Sequence, residues 1–303
     1  MSDENPMASE DEAGLAGRWA AFVNERFPLP DCLLMGTAFF LGNALAAHVL
    51  AGTSVSWPRL AAPFVATLLV FFRLRLFDEI KKHRTDRDTP GLIPISEAKR
   101  VAAIVALAEA ALAAVCGPPA LCAWGVVLLF SVLTCRDFFV GGWLRPRMEL
   151  CAVTYMLVAG WLALFIAVAA TGCPVRRLPP GLWWFVPVNW AVFNVFEFAG
   201  QTLGTDEERP GIDSYSKRLR PWGAALLSLS MVVPSAWAAF RVIGRTGIPR
   251  MAAPVMIGML LLTGIAAVLY VCRPYRPAAR LFRGVMQLFV VGYYLVLTVC
   301  ILS

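Results

Sequence analysis

Apolar stretches close to twenty residues long alternate with short, charge-rich segments along almost the whole chain. A helix rising ~1.5 Å per residue needs ~20 residues to cross a ~30 Å hydrocarbon core. Nine stretches meet that length, over roughly 33–51, 58–77, 97–116, 119–135, 149–171, 181–198, 221–241, 251–272 and 284–302. The pattern predicts an all-α integral membrane protein, a bundle of nine transmembrane helices filling residues 31–303 with no room for a second folded domain. Pro63, Pro187, Pro234 and Pro254 lie inside spans, where neighbouring helices can satisfy the freed carbonyls. Residues 1–30 are polar, without a basic n-region or a short apolar core, so they are not expected to be a cleavable signal peptide. The expectation there is a disordered tail to Glu12 and an interfacial helix over Trp19 to Phe27.

Composition sharpens this. The chain is 59% hydrophobic and 16% charged, against ~45–50% and ~25% for soluble domains, and its mean hydropathy is +0.67. Two histidines, His48 and His83, are too few and too far apart for a His-based zinc site or a Ser-His-Asp triad. The eight cysteines contain no Cys-x-x-Cys pair. With the N-terminus placed inside, 21 of the 27 Lys and Arg residues fall on the cytoplasmic side, as the positive-inside rule requires. The acidic residues follow them, 19 of 20, and Glu109 in span three is the exception. Acids have little say in orientation, so their gathering points to a face that binds both cations and anions. The net charge of +7 needs no nucleic-acid partner.

Two acidic clusters stand out, four spans apart and therefore on one side of the membrane. The first closes span two: Arg73, Arg75, Asp78, Glu79, Lys81, Lys82, His83, Arg84, Asp86, Arg87, Asp88. A helix continuing past the membrane places 78, 82 and 86 on one face. The second closes span six: Glu197, Gln201, Asp206, Glu207, Glu208, Asp213, Ser214, Tyr215, Lys217. Carboxylates without His or Cys suit hard cations, and Mg²⁺ takes a few carboxylates plus water and substrate phosphates. Interleaved Arg and Lys neutralise the remaining phosphate charge. A diphosphate headgroup with its hydrocarbon tail among the helices fits this mixture; solvated charges at helix ends are the plainer alternative.

Span count, cluster order and spacing resemble the UbiA superfamily of intramembrane prenyltransferases, whose nine helices carry aspartate-rich motifs after helices two and six. Against a first motif Asn-Asp-x-x-Asp-x-x-x-Asp, this chain has Asp78-Glu79, Lys82 and Asp86; the second motif maps onto Glu197, Gln201 and Gly211-x-x-Ser214. The string Glu207, Glu208, Gly211, Tyr215, Ser216 is similar to a branch in which some members cyclise terpenes. The resemblance implies Mg²⁺ as cofactor, with Asp78, Glu79, Asp86, Glu197, Asp206 and Glu207 as ligands. It implies diphosphate contacts from Arg75, Lys81, Lys82, Arg136 and Lys217, and an isoprenoid cavity near Phe193, Phe196 and Tyr155. Asp78, Glu197 and Lys82 are then the catalytic candidates, and the partners are an isoprenyl diphosphate, a lipophilic acceptor and membrane lipids. Lys82 and Gln201 stand where the family has carboxylates. Three outcomes stay open: prenyl transfer, cyclisation of the isoprenyl chain, or a non-catalytic protein that keeps the fold.

An intramembrane Glu109 is either functional or hydrogen-bonded to a neighbouring helix. His48 reads as a satisfied residue near a span end. Arg136-Asp137 and Arg145-x-Arg147 either meet phosphate or snorkel to headgroups. Cys116, Cys122 and Cys173 lie near outside loops, with no spacing that demands pairing.

Overall fold

The computed structural model of the chain describes residues 14–85, 91–208, 213–246 and 252–302, so Asp86 and the expected tail to Glu12 lie outside it. Every described element is helical: α1 Leu15–Arg26, α2 Leu29–Ala51, α3 Trp57–Thr85, α4 Ile95–Val115, α5 Pro118–Cys135, α6 Gly141–Leu144, α7 Met148–Tyr155, α8 Leu157–Thr171, α9 Pro180–Trp183, α10 Phe185–Gly200, α11 Tyr215–Thr246, α12 Ala252–Cys272 and α13 Arg276–Leu302. Single 3₁₀ turns fall at 137–139 and 175–177.

Among the described residues, seven helical stretches are long and apolar enough to cross a membrane: Leu29–Ala51, Trp57–His83, Pro118–Cys135, Met148–Thr171, Tyr215–Arg241, Ala252–Cys272 and Arg276–Val299. The other two expected spans fall short of nine for physical reasons. α4 carries Glu97, Lys99, Arg100 and Glu109, and α10 is 16 residues long because a break at Trp184 separates it from α9. The outer surface of the bundle is apolar, with Leu107 72% and Val268 62% exposed, as expected of a surface solvated by lipid rather than water. The protein is a multi-pass integral membrane protein.

α8 is the central helix. From Ala159 to Ala170 every residue but Trp161 is buried, and it packs against α2, α3, α5 and α10. Being apolar all round, it has no face suited to water. It approaches α10 closely because Gly160 has no side chain: a Cβ there would stand 2.5 Å from the Val186 carbonyl oxygen, the small-residue contact that lets membrane helices pack tightly. Phe39, Phe71, Phe193 and Tyr294 form an aromatic layer joining α2, α3, α10 and α13.

Two buried polar sets tie helices together within the apolar interior. Asn43 and Asn189 exchange side-chain hydrogen bonds of 3.1 and 2.9 Å, and the Tyr294 hydroxyl donates to Asn189 at 2.7 Å. Arg73 Nε donates to both Glu109 oxygens at 2.9 and 3.1 Å, and Trp124 Nε1 donates to Glu109 at 2.9 Å. Arg73 and Glu109 are fully buried, so Arg73 is a core residue and not one of the cytoplasmic surface charges that the sequence pattern suggests. His48 bonds Thr53 through Nδ1 at 2.8 Å. Cys116, Cys122 and Cys173 are unpaired. α1 seats Phe22 against Leu76, Ile80, Ala98 and Ala102, anchoring the start of the described chain to α3 and α4.

Candidate active site at one end of the bundle

α3 remains helical to Thr85, well past its apolar stretch. Its last turns project charged side chains into a cavity of about 330 Å³ lined by Arg26, Arg75, Asp78, Glu79, Lys81 and Lys82. Asp78 lies at depth, crowded by protein, yet 64% of its side chain is open to solvent. Both facts hold for a residue on a cavity floor. Arg75 pairs with it at 3.5 Å, and Lys81 and Lys82 add positive charge close by.

Glu197, near the end of α10, belongs to the same site: Asp78 and Arg75 both lie close enough to act on its charge. Gln201, one turn on, donates a side-chain hydrogen bond to Glu197 Oε1. The Gln201 amide thus orients the Glu197 carboxylate. Tyr215 at the start of α11 lies within electrostatic reach of Glu197 and packs edge-on against Phe198.

The remaining candidates divide. Glu79 lines the cavity but is 1% exposed; its Oε1 accepts from Leu92 N at 2.6 Å, and Arg26 approaches Oε2 at 3.7 Å. It fastens the 91–93 turn to α3. Asp206 and Glu207 sit on the loop after α10, which is held to the α12–α13 turn. Asp206 accepts from Arg276 N at 2.6 Å, and Glu207 pairs with Arg276, Arg280 and Arg283 at 3.4, 4.0 and 3.0 Å. The Arg283 hydrogen bonds hold Glu207 below the usual glutamate range despite partial burial. Arg136 and Lys217 are exposed. Phe193 stacks parallel to Phe71 in the aromatic layer, and Phe196 packs on the core. Among the described residues no three His, Cys, Asp or Glu side chains gather closely enough to hold a metal ion by themselves.

One residue beside the cavity has a place that neither a phosphate contact nor a headgroup contact describes. Asp137, 2% exposed, pairs with Lys81 Nζ at 2.5 Å through Oδ1 and with Arg145 at 2.6 and 2.7 Å through Oδ2. The Tyr155 hydroxyl donates to Oδ1 as well. Lys81 Nζ also donates to Tyr155 at 2.6 Å and lies 4.0 Å from the centroid of its ring. Burial alone would raise the Asp137 carboxyl, but the bonds from Lys81, Tyr155 and Arg145 outweigh it and hold it below the usual aspartate range. The sequence flags Arg136-Asp137 and Arg145 as neighbours of a span end, but their link to Lys81 exists only in three dimensions.

Solved structures share this architecture. A UbiA homolog from Aeropyrum pernix K1, in its apo form, superposes with a TM-score of 0.64 at 18% identity, covering 86% of this chain and 96% of that one. A digeranylgeranylglyceryl phosphate synthase in membranes gives 0.62 at 14% identity, covering 94% and 98%. No protein-family model and no curated sequence matches the chain. The fold and the site define an all-α integral membrane protein with a charged cavity at one end of its helices. Its fold is of the UbiA type.

Proposed function

We propose that the chain is a UbiA-like prenyltransferase that ionises an allylic isoprenyl diphosphate and transfers the prenyl group to a lipophilic acceptor. The observation that carries this is a solvent-open cavity lined by Asp78, Arg75, Lys81 and Lys82, with Glu197, from a helix far apart in sequence, within electrostatic reach of Asp78 and Arg75. Two carboxylates fit Mg²⁺, which commonly binds through one or two of them and takes other ligands from water and substrate phosphates. Asp78 and Glu197 would hold it, and bound there it would neutralise charge on the departing diphosphate. Gln201 fixes the Glu197 carboxylate. Arg75, Lys81 and Lys82 attract and orient the diphosphate. The apolar interior beneath, with Phe193 and its neighbours, keeps water from a carbocation once the C–O bond breaks, and aromatic faces stabilise such a cation.

The proposal includes nine crossings, with α4 and α10 added to the seven apolar stretches, and a cytoplasmic N-terminus and cavity. The exposed Ile104, Leu107 and Val115 on α4 support its contact with lipid. Purified protein given an isoprenyl diphosphate and Mg²⁺ should release diphosphate. Asp78→Ala and Glu197→Ala should each lower the rate at least a hundredfold while leaving expression unchanged, since each removes a ligand worth several kcal/mol of leaving-group stabilisation. Wild-type rates in either variant would refute the two-carboxylate site. Extraction into organic solvent reads the product: a prenylated acceptor accords with transfer, a cyclic hydrocarbon with cyclisation instead.

A further inference from the structure

Asp137 touches nothing that the proposed reaction consumes, yet its placement is costly. Residues 137, 138 and 139 have φ of 51°, 53° and 61°, left-handed values that are unfavourable for any side chain and more so for phenylalanine. Phe138 anchors the turn edge-on against Phe130, while Phe139 is 75% exposed. Neither contact explains why the carboxylate is turned inward. Its partners do: Lys81 from α3, Arg145 after α6 and Tyr155 at the end of α7 all converge on its two oxygens. Gly141 makes the space, since a Cβ there would stand 3.0 Å from Asp137 Oδ2 and 3.3 Å from Arg145 Nε.

Lys81 is the member of this set that also lines the cavity, 22% exposed and close enough to act on Asp78. A lysine ammonium on four flexible carbons is slow to order and costly to fix when it binds a phosphate in isolation. Here it is fixed beforehand. Leaving Asp137 for an incoming anion would cost Lys81 its bonds to both Asp137 and Tyr155 and leave Arg145 as the only counter-charge of a buried carboxylate. We propose that Asp137 is a positioning residue for the diphosphate site: its carboxylate clamps the Lys81 ammonium at the cavity wall, so that the cation meets a diphosphate already ordered. This rests on the function proposed above for the same cavity and adds to it a residue, Asp137, whose charge serves the site through Lys81.

The test is a double-mutant cycle on binding of inorganic pyrophosphate with Mg²⁺ to detergent-purified full-length protein. Asn tolerates left-handed backbone and its oxygen can still accept from Tyr155, while its NH2 replaces the oxygen that accepts from Arg145, so Asp137→Asn removes the charge and the Arg145 bonds. Asp137→Asn and Lys81→Met should each weaken pyrophosphate about tenfold, the scale of ordering one long side chain on binding. The double variant should also lose about tenfold, because Asp137 acts through Lys81. Unchanged affinity in Asp137→Asn, a hundredfold loss in the double variant, or wild-type protein that does not bind pyrophosphate overturns the clamp. Should Asp137→Asn yield no folded protein, Gly141→Ala decides: it leaves every charge in place but crowds the Asp137–Arg145 contact. A loss of affinity that vanishes on the Lys81→Met background supports the clamp, and wild-type affinity overturns it. Wild-type protein that binds pyrophosphate with this coupling but never turns over an isoprenyl diphosphate refutes the proposed reaction while leaving the role of Asp137 standing.

Discussion

Asp78 and Lys82 lie one helical turn apart on α3, and both line the cavity. Under the proposed function, the Lys82 ammonium brings a positive charge to the cavity that can meet diphosphate directly. Lys82→Ala should therefore lower the rate of diphosphate release about tenfold or more, a loss of one phosphate contact, and Lys82→Asp should not restore it. Unchanged rates and unchanged Mg²⁺ dependence in both variants would remove Lys82 from the site. At this scale the sequence is a good guide to what lies on a single helix: 75, 78, 79, 81 and 82 reach one cavity because the helix persists. It is a poor guide to long-range pairs. Asp137 sits 56 positions from Lys81 along the chain, and Arg73, which reads as a surface cation at a span end, is neutralised in the core by Glu109.

Elements are held by a few specific contacts, and three of them can be broken selectively. Gly160→Leu should destabilise the protein by about 1–3 kcal/mol, the usual cost of overpacking, because any side chain there meets the α10 backbone. Arg73→Ala should be worse, about 3–5 kcal/mol, since it leaves Glu109 buried and unpaired. The joint change Arg73→Met with Glu109→Leu should recover most of that loss; thermal unfolding in one detergent compares them, and a double variant no better than Arg73→Ala would contradict the pairing. Glu207 fastens the loop after α10 to α13 through Arg276, Arg280 and Arg283. Its folded pKa is depressed, so its contribution is complete above the ordinary glutamate pKa of about 4.3 and is lost as pH falls through the lower folded value. Glu207→Gln should flatten that acid limb of stability, and an identical pH profile would show that the arginines do not depend on it. The sequence groups Glu207 with Glu197 because they are ten residues apart, but the chain turns away after Gln201 and gives Glu207 to α13.

Across the whole molecule, the charged cavity makes one end of the bundle the proposed reactive end. Asp78 near the end of α3 and Glu197 near the end of α10 lie within electrostatic reach of each other there, four expected spans apart, as an even offset between the clusters requires. The nine-stretch hydropathy pattern conveys the helical bundle; the strict seven by apolarity arise because α4 carries four charges and α10 is interrupted. Cysteines introduced near Asp78 and Asp206 should label from the same, cytoplasmic side, and labelling from opposite sides would contradict the topology. The central claim is that the Asp78–Glu197 cavity ionises an isoprenyl diphosphate. Its most direct measurement is diphosphate release from an isoprenyl diphosphate by purified wild-type protein, with and without Mg²⁺, beside Glu197→Ala. Release that requires Mg²⁺ and disappears in Glu197→Ala is the predicted result; no release from wild type, or release that persists in Glu197→Ala, would contradict it.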